Sequence, residues 1–585
     1  MKKISIIILI IGAVIVSAYV YLRHSISTPG FEPTAAASPI NRPKKAESVA
    51  DLRPLFIAKL QEMVKAGSGG LYNLSIHKVE PDILNASVII KNAELVPDTA
   101  VLLELKKQDK LPSLVYRIML GYLKIEGLGL QDFLNTKKLD LKSISISAPS
   151  IDIYPGSSND DNTQNPTLYE GLKEKLEHLS IDYININGGK LVLHQPNGSI
   201  RSSLGDIQVR LSDLLMDSTT QYDKARFLFA KNAELSLKNY HTSTADKMYD
   251  MVVNEISVHP TRSSLDAHHI TFSPRLNKKA FAKQQGVMKE RYDLSIPEMH
   301  MQGINWWDVI NKKKILAKEV EISNARFSIY LDRSLPLAKP RLNSFPSQLI
   351  MKLPVQVYID RLKCNNLDLQ YEEYNPFSER TGNVRFNHIK GEVRNLTNMP
   401  SVIKQKKETT VKANGMLLGK VSASLTLHFD MSQYKSGAFR AAINVKGFDG
   451  NMITPLSEPL GLFRLKSGSV QSIKAQEQGN QTGATGKTLI LYKDLKIIPL
   501  EKGKGADSSL NKKHITGFFA NAFVIKNDNP SGKEAPRSPE TSFTRDPHGS
   551  FFNLIWKTLL TGILKTTGAP EKLAQPKYYK GTESK

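Results

Sequence analysis

Val421-Ser422-Ala423-Ser424-Leu425-Thr426-Leu427-His428-Phe429 alternates apolar and polar side chains without interruption. Successive side chains of a strand point to opposite faces, so Val421, Ala423, Leu425, Leu427 and Phe429 share one face while the serines, Thr426 and His428 share the other. Phe439, Ala441, Ile443 and Val445 repeat the pattern. Leu489 and Leu491, ahead of Tyr492 and Leu495, belong to a further strand. These apolar positions form either an ordinary sandwich core or the lining of an open groove, and periodicity does not choose between the two.

Outward from this stretch, period-two patterning runs back to Gly70. Val88-Ile89-Ile90-Lys91-Asn92-Ala93-Glu94-Leu95 has a near copy over residues 227–235, Phe227-Leu228-Phe229-Ala230-Lys231-Asn232-Ala233-Glu234-Leu235, and a looser one over Ile322 to Tyr330 around Asn324. Ile144 to Ile153, around Ala148, and Ile184 to Leu193, around Gly188-Gly189, read alike. Asn and Gly accept positive φ at little cost, so each unit is expected to be a strand, a tight turn and a strand, that is, an antiparallel hairpin. Helical spacing over Asp51 to Lys65, and again over Pro166 to Leu179, places a helix ahead of two of these units. Repeated helix-hairpin units would stack into an array in which each contacts its neighbours.

The N-terminus carries different information. Lys2 and Lys3 precede an uncharged aliphatic run from Ile4 to Leu22, which as a helix would span about 28 Å, close to a bilayer's hydrocarbon thickness. Lysines on the short side orient the body outward. Val16-Ser17-Ala18 would satisfy a signal-peptidase rule, but the apolar run continues past it, so an uncleaved anchor over 1–24 is expected. Pro29, Pro33, Pro39 and Pro43 make 25–50 a linker. The helix-hairpin region is expected over 51–400 and a C-terminal β region over 401–500. Loops with a short strand at Thr516 to Ile525 fill 501–550, an amphipathic helix takes 551–568, and 569–585 is expected to be a polar, disordered tail.

The anchor, the helix-hairpin units and above all the run from Asn414-Gly415 through the Val421 and Phe439 strands, Gly447-Phe448, Leu460 to Val470 and Gly486 to Leu495 resemble the AsmA-like envelope proteins, particularly their Bacteroidetes-type branch. The resemblance implies a mainly β fold with short helices: an elongated, curled antiparallel sheet, or repeating β-groove, behind one transmembrane helix. It implies a location in the inner membrane of a diderm bacterium with the bulk of the chain in the periplasm. It also implies a role in phospholipid transfer or outer-membrane homeostasis, with membrane lipids and other envelope proteins as partners. Val421, Ala423, Leu425, Leu427, Phe429, Phe439, Ile443, Val445, Leu489 and Leu491 would then line the lipid groove. The alternative function is an anchored assembly factor with a closed β core.

Catalytic and metal chemistry find no constellation. Gly483 to Thr488 ends like a phosphate-binding loop, but Gln481 stands where its first glycine belongs and a strand follows where a helix is required. His268-His269 are adjacent on a strand, and Cys364 has no base signalled nearby. No cofactor is expected. The formal charge of +23 favours anionic partners, yet Lys312-Lys313-Lys314, Lys404 to Lys407 and Lys512-Lys513 are scattered, and with export expected nucleic acid is set aside. Trp306-Trp307 read as core or interfacial aromatics. Phe551, Ile555, Leu559 and Ile563 line one face of the C-terminal helix, widened by Phe552, Trp556, Leu560 and Leu564. That face either caps the edge of the last strands or contacts a membrane or partner.

Overall fold

The computed structural model describes residues 53–82, 85–112, 114–127, 138–156, 177–220, 223, 225–312, 314–502, 510–512 and 525–575. The expected anchor, linker, helix over Pro166 to Leu179 and short strand from Thr516 lie wholly or mostly outside these residues, as does the tail from residue 576. The fold is mainly β: of the described residues 58% are strand and 18% helix, with a large mixed sheet of 21 strands among them. By compactness the chain divides into Met1–Thr242 with Glu255–Arg262, and Ser243–Asn254 with Ser263–Lys585.

The first unit begins with α1 (Arg53–Gly67), β1 (Tyr72–Asp82), β2 (Ser87–Pro97), α2 (Thr99–Lys107) and β3 (Leu114–Glu126). It continues through β4 (Lys138–Ser147), β5 (Ser150–Pro155), β6 (His178–His194), β7 (Ile200–Met216) and β8 (Ala230–Ser243). Leu60 of α1 is fully buried against the sheet in one cluster with Leu123, Ile125 and Ile144. The Gln61 amide donates to the Leu74 carbonyl at 3.0 Å, which fixes the helix on β1. Asp98 caps α2 by accepting from the backbone N–H groups of Ala100 and Val101. The division between units falls within β9 (Tyr249–His259).

The second unit holds β10 (Ser264–Pro274), α3 (Lys278–Gln285), β11 (Arg291–Gln302), α4 (Trp306–Lys312), β12 (Lys314–Ser323) and β13 (Arg326–Asp332). α5 (Pro346–Met351), β14 (Gln356–Asn375), β15 (Arg380–Thr397), α6 (Pro400–Gln405), β16 (Glu408–Leu417), β17 (Val421–Asp430) and β18 (Phe439–Asp449) follow. It ends with β19 (Phe463–Asn480), β20 (Gly483–Lys502), β21 (Leu510–Lys512), β22 (Glu540–Thr544) and α7 (Phe551–Thr567). From β14 to β20 each strand pairs antiparallel with the next, across residue 400. β22, in a region expected to be loop, pairs with the start of β20.

The motif residues expected to turn hairpins do something else. β4 and β5 both pair with β3 on one side and run parallel to β6 on the other, so the two are one strand interrupted at Ala148. β12 and β13 relate in the same way to β11 and β14, interrupted at Asn324. The sheet is therefore mixed rather than wholly antiparallel, and each parallel pair needs a crossover connection, which for β13 to β14 carries α5. At each interruption a residue takes left-handed φ: Asn92, Ala148, Gly188, Asp206 and Asn239 in the first unit, His269, Asn324, Asn366 and His388 in the second. These residues stand beside one another from strand to strand. Register pairs flank Ala148 and Gly188 at Ser147 with Asn187 and at Ser150 with Lys190. Each kink inserts one residue into the alternation, so apolar positions on both sides of it fall on one face. The near copy over residues 227–235 is not a kink of this kind, because its left-handed residues are Leu228 and Phe229 rather than Asn232.

Candidate functional site: an apolar sheet face

The kinks of the second unit organise apolar rows that cross the sheet from strand to strand. On one side of the kink line, register partners run Phe272, Leu294, Phe327, Leu369, Phe386, Leu417 and Val421, from β10 to β17. On the other side they run Leu265, Met301, Val320, Leu362, Val393, Val411, Leu427 and Ala441, from β10 to β18. Phase reversal at His269, Asn324, Asn366 and His388 lets one face carry both rows.

Cover over this face is uneven. α3 packs Phe281 near Phe272 and Tyr292, and α4 packs Trp306 and Val309 against Val320, Met301 and Leu362. Further along the first row Phe327, Leu369, Phe386 and Leu417 stay half-buried. A row of large apolar side chains left at that exposure is a surface that gains from contact with another apolar body.

At the C-terminal end the same face is closed. Leu427, Phe429, Phe439 and Ala441 are buried in a cluster with Phe345, Ile403, Phe551, Leu554 and Ile555. Phe551 of α7 sits at the centre, with ring centroids 5.0 Å from Phe345 and Phe439 and 5.5 Å from Phe429. Ser550 caps α7 by accepting from the Asn553 N–H, and Gly568 ends it at φ 79°. Further along, Thr558, Thr561 and Thr566 are buried and donate their hydroxyls to the carbonyls of Leu554, Lys557 and Gly562, so a polar stripe enters the interface with its donors satisfied. A Cβ on Gly562 would collide with the side chain of Thr488, so helix and strand approach as closely as a missing side chain permits. Thus α7 lies on the sheet face, not at its edge. Phe551, Ile555 and Leu559 are buried and Ile563 partly so, but Phe552 and Trp556 project outward, and buried Leu554 takes a place that the spacing had left out.

The groove positions expected from sequence divide accordingly. Val421, Leu427, Phe429 and Phe439 are buried, Leu425 and Ile443 pack against the α7 cluster, Val445 packs against the adjoining one, and Ala423 is half-buried. Leu489 and Leu491 are a correction, because Thr488, Ile490 and Tyr492 take the inner face and Leu489 stands opposite Lys474 on the outer one. Every residue from Leu489 to Tyr492 is apolar, so alternation offers no choice of face there and only the packing decides it.

Glu477 is the residue that sequence reasoning missed. It continues the second row, as the partner of Ala441 on one side and Gly486 on the other. It is buried, neither carboxylate oxygen has a hydrogen-bond partner, and burial pushes its carboxyl up to about 8. An acid in the apolar phase of Ile473, Ala475 and Gly479 was the available signal. The outer face is polar by contrast. Burial raises the Glu408 carboxyl, but His428 at 2.8 Å and Arg440 at 2.5 Å outweigh it and hold the group low. These three residues, with Gln478, Asn480 and Ser542, line a surface depression of about 750 Å³.

His268 and His269 are both exposed. Cys364 is half-buried, and burial raises its thiol, the reverse of nucleophile activation. Among the described residues no three His, Cys, Asp or Glu side chains gather as a metal site, and no helix is long and apolar enough to cross a membrane. No family model matches the chain, and no curated protein matches it either.

Proposed function

We propose that this chain is a membrane-anchored, exported lipid-binding protein whose half-buried apolar face on β10 to β16 shields acyl chains in transit between membranes. The observation that carries the reading is the half-buried apolar row of Phe327, Leu369, Phe386 and Leu417. Two further points support it: the aliphatic run from Ile4 to Leu22 would hold the chain at a membrane, and +23 of formal charge suits anionic headgroups. The chain is read as a binding protein, not an enzyme, with phospholipid as the ligand and inner membrane and periplasm as its place. Resemblance to the AsmA-like envelope proteins points the same way.

Native mass spectrometry of the detergent-solubilised chain tests the reading directly. Phospholipid should co-purify, and Leu369→Asp should remove it while the fold survives, because a carboxylate at a partly exposed position can reach water. Leu427→Asp is the contrast: at a closed site the same charge is buried and unpaired, which costs several kcal/mol and should unfold the C-terminal strands. A folded Leu369→Asp chain with undiminished lipid would refute the acyl-binding face. The closure of the face by α7 favours a second reading, an envelope assembly scaffold with a sealed core, and lipid-free chains from native membranes would leave that one standing.

A further inference from the structure

Three segments meet in the α7 cluster: residues 341–356 with α5, 399–407 with α6, and 550–567 with α7. Phe345, Ile403 and Phe551 bury themselves there, and Ile350 and Met351 pack alongside. The same segments turn large apolar side chains to solvent. Leu349 and Phe552 are more than half exposed at 51% and 59%, and Leu342, Leu353 and Trp556 join them.

Their charge is one-sided. Arg341, Lys352, Lys404, Lys406, Lys407, Lys557 and Lys565 fall within the three segments, and no Asp or Glu does. Arg341, Lys406 and Lys565 pair with Glu290, Asp360 and Glu571. Lys352, Lys404 and Lys407 form no ion pair among the described residues, and Lys352 reaches only the Asn343 carbonyl, at 2.7 Å.

Exposed Leu, Phe and Trp on segments that carry lysines and no acid of their own match the chemistry of a bilayer interface: aromatic rings settle at headgroup depth, aliphatic side chains enter the acyl boundary, and lysines meet anionic headgroups. We propose that the α5, α6 and α7 face is a docking surface for a membrane rich in anionic phospholipid. The inference does not rest on the acyl-binding face and is independent of where the N-terminal segment resides.

The test places the full chain in nanodiscs of phosphatidylcholine, with Trp306→Phe and Trp307→Phe so that Trp556 is the remaining indole. Vesicles with brominated acyl chains are added, with or without phosphatidylglycerol. Vesicles containing phosphatidylglycerol should quench Trp556 and shift its emission to the blue, and salt should weaken the effect. The triple change Lys352→Glu, Lys404→Glu and Lys407→Glu should weaken binding at least about tenfold. Leu349→Ser with Phe552→Ser should abolish the quenching while circular dichroism stays unchanged. Insertion through the N-terminal segment alone leaves Trp556 unquenched. An unquenched Trp556 in a folded parent overturns the proposal, as does equal quenching by pure phosphatidylcholine. A vesicle-independent emission shift that grows with protein concentration overturns it in favour of a second copy of the chain.

Discussion

Glu477→Gln should flatten the pH dependence with which α7 is held on the sheet. The carboxyl titrates at 4.5 in a free chain and at about 8 in the fold. Because the folded value is the higher one, the folded state holds the extra proton between the two. Stability is therefore full below pH 4.5, falls as pH rises toward 8 and is level beyond. At ~1.4 kcal/mol per pH unit, the loss is about 3 kcal/mol by pH 7 and about 5 kcal/mol above pH 8. Burial alone raises the carboxyl, with no charged partner contributing, and its neighbours along the row are Ala441, Gly486 and Leu427. The assay is hydrogen exchange of peptides from α7 and β19 between pH 5 and 9, expressed as an opening free energy after correction for intrinsic rates. Opening of the wild-type helix should become easier by about 4 kcal/mol across that range, and the Gln variant should show almost none of the change. Equal slopes in the two proteins would refute the assignment of Glu477 as an uncompensated buried acid.

The left-handed kinks predict their own substitution pattern: Asn366→Ala, at φ 62°, should destabilise by about 1 kcal/mol while Asn366→Gly stays near wild type, both read by thermal denaturation. Gly562→Ala puts a methyl group into Thr488 and should cost about 1 to 3 kcal/mol, seen as loosened α7 protection and greater dye binding to the uncovered face. Cys364, half-buried and with a raised thiol, should react with a thiol reagent at neutral pH more slowly than a free cysteine, and rapid modification would count against that environment.

Local pattern reached far in this chain. Alternation at Val421 to Phe429 and Phe439 to Val445 identified strands and their inner positions, because a half-buried strand must present one apolar face whatever its neighbours are. Helical spacing placed α1 within two residues of its observed ends and located α7, of whose buried residues it named Phe551, Ile555 and Leu559 but missed Leu554 and the threonines. What the repeats meant was not legible. An Asn at positive φ serves a hairpin turn and a kink in a long strand equally well, and only the pairing of β4 and β5, or β12 and β13, with the same two neighbours separates them. The parallel pairs escaped for the same reason, since direction is a relation between distant segments.

By itself, then, the sequence determined that the chain is mainly β and where most of its apolar strand faces run, both of them consequences of side-chain period. Tertiary structure decided which apolar faces are covered. Leu369 and Leu427 both sit on the apolar face, yet one is partly exposed and the other is sealed beneath α7. The physical reason is that burial depends on what packs against a face, and α7, more than a hundred residues further along the chain, supplies that cover for Leu427.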